Sequence, residues 1–188
     1  MALLENNHLE FEAMAEWEHP AATLDVAAPF LERYVAFFGE AALAGLTVGV
    51  YQHSSVARDI LVAVLERLGA RTIAYGRAES FIPVDTEAHR PEDLTLLKEW
   101  AGEKRCDAFV STDGDGDRPL VADADGTVLR GDVIGLLTAH HLGLSTIVTP
   151  VTSSSAIERS GIAATVHSTK VGSPFVIAAM EKAVEAGE

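Results

Sequence analysis

From residue 46 onward, short runs of β-branched and other apolar residues alternate with longer amphipathic stretches, and few architectures accept that alternation. LTVGVY (46–51), RTIAY (71–75), DAFVS (107–111), STIVTP (145–150) and ATVHS (164–168) read as strands. Between the first two, SSVARDILVAVLERLG (54–69) sets Ile60, Leu61, Val64, Leu65 and Leu68 on one helical face, with Ser54 or Ser55 as its cap and Gly69 at its end. Further helices are expected at 92–103, 131–143, 153–160 and 172–187. An earlier one is expected at 21–38, where Val26, Phe30, Tyr34 and Phe38 recur every fourth residue and Gly39 terminates the run. Strands separated by helices call for a largely parallel sheet covered on both faces. PLVAD and TVLRG around Asp125-Gly126 add a hairpin, and Pro119 puts it at or near a sheet edge. The expected fold is a three-layer α/β/α sandwich with a mixed, mostly parallel sheet.

Composition narrows the function classes. The 188 residues carry a formal charge of −14, from 28 acidic and 14 basic side chains, with no run of Lys and Arg. That excludes the clustered basic surface nucleic acid requires. One cysteine, Cys106, forms no internal disulfide and belongs to no metal-type spacing; preceding a buried strand, it reads as inert. The N-terminus lacks the apolar core of a signal peptide, and no stretch is long enough to span a bilayer. A cytoplasmic setting away from membranes is the expectation. Residues 1–20 read as an irregular N-terminal arm or a cloning remnant.

The chemistry concentrates in STDGDGDRPLV (111–121). Asp113, Asp115 and Asp117 alternate with glycine directly after the DAFVS strand, and ligands in open α/β sheets collect at the carboxyl ends of strands. In an extended segment the three carboxylates face one way. Two such charges at roughly 4 Å repel by about 1 kcal/mol in water and about 4 kcal/mol at an effective dielectric of 20, unless a cation intervenes. An all-oxygen set favours Mg2+, or Mn2+ or Ca2+, over zinc. Arg118 beside it suits a phosphoryl group, which a guanidinium takes bidentately; an ordinary ion pair with a neighbouring Asp is its alternative role.

Four other readings compete with this one. An EF-hand fails twice, with Arg118 where its glycine belongs and Ala124 where its bidentate Glu belongs. A phosphate-cradling loop fails for want of a glycine-lysine pair. A dehalogenase-type Mg2+-dependent phosphatase matches the strand and Asp-x-Asp, without a convincing acidic pair downstream. A solvated acidic turn explains neither the strand-end placement nor the arginine.

With these residues the chain resembles the α-D-phosphohexomutases, the phosphomannomutase/phosphoglucomutase family. LTVGVYQHSSVARDILVAVLERLGA (46–70) is similar to the strand, turn and helix that open the family's second domain. STDGDGDRPLVADADGTVLRGD (111–132) is similar to its metal loop and hairpin, FIPVDTEAHRPEDL (81–94) to the loop between them, and STKVGSPFV (168–176) to the crossing into the third domain. The resemblance implies a Mg2+ on Asp113, Asp115 and Asp117, and Arg118 on the migrating phosphoryl group. It implies Lys170 near the sugar phosphate, unless that residue is a surface lysine opening the last helix. The implied reaction is an isomerisation that moves phosphate between the 1- and 6-hydroxyls of a hexose through a phosphoserine and a bisphosphorylated sugar.

The family's Ser-His-Asn-Pro loop and its glycine-glutamate-serine loop do not occur in this sequence. The expected organisation is therefore an arm (1–20), the metal-binding domain (21–170) and a helix (171–188) at the boundary of a third domain. Such a chain is inactive alone, its partners being the serine-loop, sugar-binding and phosphate-binding domains and a hexose phosphate. A non-catalytic module that binds a divalent metal or a sugar phosphate is the alternative. Among other residues, the histidines show no paired metal spacing, and His53 and His167 lie at strand ends from which either could approach the site; Trp17, Trp100 and the phenylalanines at 30, 37 and 38 read as core, and Asp132 reads as the cap of the next helix.

Overall fold

The computed structural model describes residues 26–188; the expected arm at 1–20, Trp17 and the first residues of the 21–38 helix lie outside them. α1 (Ala27–Phe38) precedes β1 (Thr47–Tyr51), α2 (Arg58–Arg67), β2 (Arg71–Tyr75), α3 (Pro91–Gly102) and β3 (Ala108–Thr112). The hairpin β4 (Pro119–Asp123) and β5 (Val128–Leu129) follows, then α4 (Gly131–His141), β6 (Thr146–Pro150), α5 (Ala156–Arg159), β7 (Thr165–Thr169) and α6 (Ser173–Glu185). None of the described helices is long and apolar enough to cross a membrane.

The strands form two sheets rather than one. Five strands run in the order β2-β1-β3-β4-β5, and β6 pairs only with β7. In the larger sheet β1 is parallel to β2 and β3, while β3-β4 and β4-β5 are antiparallel. β6 and β7 are parallel, giving a mixed α/β architecture. The hairpin does form the sheet edge: β5 is the outer strand, and Pro119, as the first residue of β4, interrupts no interior hydrogen bond.

Alternation along β1 and β3 feeds two cores. Tyr51, Leu97, Ala101, Phe109, Leu120 and Ala122 pack beneath α3, and Val48, Val50, Leu65 and Ala70 pack beneath α2. Leu97, Phe109 and Ala122 are completely buried. Trp100 stacks on Tyr75 at 5.0 Å and meets Tyr51 edge-on, as a core residue should. Phe30, Phe37 and Phe38 depart from expectation and stay exposed at 40%, 67% and 45%. The four-residue repeat of Val26, Phe30, Tyr34 and Phe38 runs as a stripe along α1, yet no residue of α1 is buried.

The Asp125-Gly126 turn folds as its sequence demands. Asp123 Oδ1 accepts the N–H of Asp125 and of Thr127, and Gly126 sits at φ +71°. α4 packs against β4 of the larger sheet and against α5 beside the smaller one; Ile134 and Leu137 share a cleft with Val121 and Leu129 of the hairpin, and Leu136 and Ala139 share another with β6 and Ile157. Asp132 does not cap α4, which begins after Arg130 with no side-chain cap. It lies in the first turn, pairs with Arg130 and accepts the Ser154 N–H at 2.8 Å, tying the β6–α5 loop to the head of α4. Ser54 and Ser55 likewise do not cap α2, which starts later, at Arg58, after Ala57.

Candidate metal and phosphoryl site

β3 delivers the aspartate loop to the carboxyl end of the larger sheet, and the loop is not extended. Asp113 N donates to Arg118 O at 3.2 Å, while Asp113 Oδ1 accepts Gly116 N at 3.1 Å and Arg118 N at 3.3 Å. Gly116, at φ +84°, makes the reversal, and a Cβ there would stand 2.8 Å from the Ala57 Cβ. The carboxylates therefore converge by a tight Asp-centred turn and not by strand alternation. One oxygen from each of Asp113, Asp115 and Asp117 lies within 4.8 Å of the others, and Asp115 and Asp117 are exposed.

Asp113 and Asp117 titrate in opposite directions. Partial burial works to raise Asp113, but the Arg118 N–H, the Asp117 side chain, the Gly116 N–H and the Asp115 side chain outweigh it and hold its pKa below the usual range. Asp117 goes the other way. Desolvation, the charges of Asp115 and Asp113 and the hydrogen bond with Asp113 raise it, against Arg118. A divalent cation relieves that repulsion, and a hard all-oxygen donor set of this size fits one. Among the described residues this is the one group of three or more such ligands.

Arg118 stands beside the triad with its hydrogen-bonding capacity largely uncommitted. Its guanidinium is 3.9 Å from Glu87 and 3.9 Å from Asp117, and its side chain is about half exposed. Among the described residues it donates no side-chain hydrogen bond. Clefts open on both sides of it. One, of about 630 Å3, is lined by Glu87, His89, Arg118, Arg130, Asp132 and Ser153, among others, at the junction of the two sheets. The other, of about 460 Å3, is lined by Phe81, Asp85, Arg90, Asp113 and Arg118, among others. The 81–90 loop separates them, bent by Asp85 Oδ1 accepting Glu87 N and Ala88 N. Lys170 lines neither cleft; it is exposed beyond β7, with Nζ 5.7 Å from the Phe175 ring centroid.

Beneath the loop is a buried polar cluster that the sequence pattern did not announce. Tyr51 Oη donates to Asp93 at 3.0 Å, and Arg90 clamps the same carboxylate with two 2.7 Å bonds. Burial, and then the Asp93 charge, push the Tyr51 hydroxyl up to about 12. His53, completely buried, places its ring 5.0 Å from Tyr51 and Nε2 2.9 Å from Thr112 O. Burial pushes its imidazole pKa down. His167 lies elsewhere, within β7, and pairs with Glu188 at 2.6 Å. No sequence signal marks this cluster: Asp93 reads as an ordinary first-turn acid, which usually faces water, and only the fold buries it.

Comparisons with known proteins place the chain in a family and a fold. A family model described as phosphoglucomutase/phosphomannomutase, alpha/beta/alpha domain II, matches residues 29–126. A phosphomannomutase of Sinorhizobium fredii is 50% identical over 159 residues, covering 85% of this chain and 33% of its own length. A phosphomannomutase of Salmonella muenchen is 40% identical over 153 residues, covering 81% and 32%. The solved structure of a phosphoglucomutase/phosphomannomutase family protein from Burkholderia thailandensis superposes with a TM-score of 0.70 at 21% identity, over 84% of this chain and 36% of that one. The last likeness is one of fold. The chain spans about a third of the length of the curated relatives it matches.

Proposed function

The chain belongs to the phosphoglucomutase/phosphomannomutase family, of which it carries the second α/β/α domain, and on that premise we propose that it forms the metal- and phosphoryl-binding part of a hexose-phosphate mutase. The observation that carries this is three converging carboxylates beside an arginine with unspent donors. The relatives' names, phosphomannomutase and phosphoglucosamine mutase, support a hexose phosphate as substrate. The reaction is then an isomerisation between hexose 1-phosphate and 6-phosphate.

In this reading Asp113, Asp115 and Asp117 hold Mg2+. When bound, the ion neutralises charge on the phosphoryl oxygens, which is the main requirement of phosphoryl transfer. Arg118 swings from its long contacts with Glu87 and Asp117 to fork two phosphoryl oxygens, so the ground-state pairing it gives up is weak. The 81–90 loop walls the site and limits access of water from that side. Lys170, which lines neither cleft, is assigned to the sugar phosphate by the family resemblance alone. Ser54, Ser55 and the cleft-lining Ser153 are each engaged in the fold, with Ile82, Thr112 and Thr149 in turn, and none sits in the Ser-His-Asn-Pro setting of the family's phosphate carrier. The 188-residue chain by itself is therefore expected to bind and not to turn over.

Titration with Mn2+ tests the reading. One equivalent should bind, Asp115→Asn should weaken it by at least about tenfold, and Arg118→Gln should leave the metal in place. The Arg118→Gln variant should instead lose metal-dependent binding of a hexose bisphosphate, by about 2–3 kcal/mol, as expected for a charged hydrogen bond. Absence of metal binding would sink the proposal. Metal-dependent hydrolysis of a simple phosphate ester by the purified chain would replace it with a phosphatase.

A further inference from the structure

One turn of the chain fastens both loops that flank Arg118. Residues 52–56, between β1 and α2, reach the 81–90 loop through Ser54, whose Oγ accepts Ile82 N at 2.8 Å and donates to Ile82 O at 3.2 Å. They reach the aspartate loop three times. Ser55 Oγ lies 2.7 Å from Thr112 Oγ1, Val56 N donates to Gly114 O at 3.0 Å, and His53 Nε2–H donates to Thr112 O at 2.9 Å. The last bond fixes the tautomer, since a carbonyl only accepts. Nδ1 is then a buried acceptor with no partner among the described residues.

His53 is costly to keep. It is completely buried, one ring nitrogen goes unsatisfied, and its backbone sits at φ +27°, a region few side chains adopt. Its carbonyl is claimed by Ala78 N at 3.0 Å and by Arg58 Nη1 at 3.4 Å, so the surroundings over-determine the strained conformation. Packing against Tyr51 explains none of this, because an apolar side chain would pack there without an orphaned nitrogen. The property unique to histidine here is the Nε2–H aimed at the carbonyl that immediately precedes Asp113.

We propose that His53 is the positioning residue of the aspartate loop. Its Nε2–H fixes the Thr112 carbonyl, and with it the direction from which Asp113, Asp115 and Asp117 converge on a divalent cation. This rests on the reading of the triad as a metal seat. The test uses the 188-residue chain, with Mn2+ followed by the electron paramagnetic signal of the free ion and the loop followed by the amide resonances of residues 113–118. His53→Leu fills the space without a donor, while His53→Gln returns an amide N–H near the place of Nε2. His53→Leu should keep a folded spectrum, move the loop resonances and weaken Mn2+ binding by about tenfold, with His53→Gln recovering to within about threefold, the range for groups that support metal ligands. A merely structural histidine would lower the thermal midpoint and leave the folded protein's Mn2+ affinity unchanged. That outcome, or equal weakening by both substitutions, overturns the proposal. If His53→Leu does not fold, His53→Asn, too short to reach Thr112, replaces it with the same expectations. Should the unmodified chain bind no Mn2+, the metal reading falls instead. The positioning role is then decided by whether the loop resonances move in His53→Leu and return in His53→Gln.

Discussion

At Asp113 the main chain and the side chain close the same turn, from opposite ends: N–H to Arg118 O, and carboxylate to the N–H groups of Gly116 and Arg118. Sequence alone placed Asp113, Asp115, Asp117 and Arg118 together because they are neighbours. It placed them by strand alternation, and the structure replaces that with a turn, which no two-residue period encodes. Residues brought in by the fold, such as His53, Glu87 and Arg130, carry no local pattern that ties them to the loop. Tyr51 shows what a buried partner does to a titration. The folded chain holds the phenolic proton more tightly than an unfolded tyrosine, which titrates near 10.0, and releases it only at about 12. Its contribution is therefore whole below pH 10 and disappears as pH rises from 10 toward 12, amounting to about 2–3 kcal/mol. Tyr51→Phe should flatten that part of the alkaline stability curve, measured by thermal midpoints from pH 9 to 12. The remaining slope belongs in part to Tyr75, which burial and its Cys106 and Glu103 contacts also raise.

The elements themselves were legible, since strand runs and amphipathic stretches lie within one or two residues of where the sequence puts most of them. What local pattern does not carry is which strands pair. β6 and β7 are at least as rich in β-branched residues as β1 and β3, yet they pair with each other and leave the larger sheet. The start of α2 was also misplaced: Ser54 spends its hydroxyl on Ile82, and Ser55, shared between Thr112 and the Ala57 N–H, closes a turn ahead of the helix, which begins only at Arg58. The β4–β5 turn offers a test at this scale. Gly126 combines φ +71° with a site where a Cβ would stand 2.6 Å from Leu97 O, in the backbone of α3. Gly126→Ala should cost about 2–3 kcal/mol in urea unfolding, well above an ordinary surface substitution. A loss below about 0.5 kcal/mol would show that hairpin and helix do not press on each other.

For the whole molecule, charge and connectivity set the conditions under which the site works. A chain of net charge −14 attracts divalent cations toward its aspartate loop from beyond the first contact. The Debye length contracts from about 30 Å at 0.01 M salt to about 8 Å at 0.15 M, so Mn2+ affinity should fall several-fold over that interval. An affinity indifferent to KCl would mean that the three carboxylates act alone. The two sheets meet through α4 and through Asp132, whose carboxylate takes both Arg130 and the Ser154 N–H. The cleft beside Arg118 opens along that seam.

The loop that gathers the carboxylates is also the reversal between β3 and β4, with Thr112 facing Pro119 across the closing pair. Its length is consequently frozen. One residue inserted between 113 and 118 would either bulge the loop and part the carboxylates, or slip β4 by one position. The slip would turn Leu120 and Ala122, now 2% and 0% exposed, outward to water. Descendants of this chain can exchange side chains in the loop far more readily than they can gain or lose a residue there.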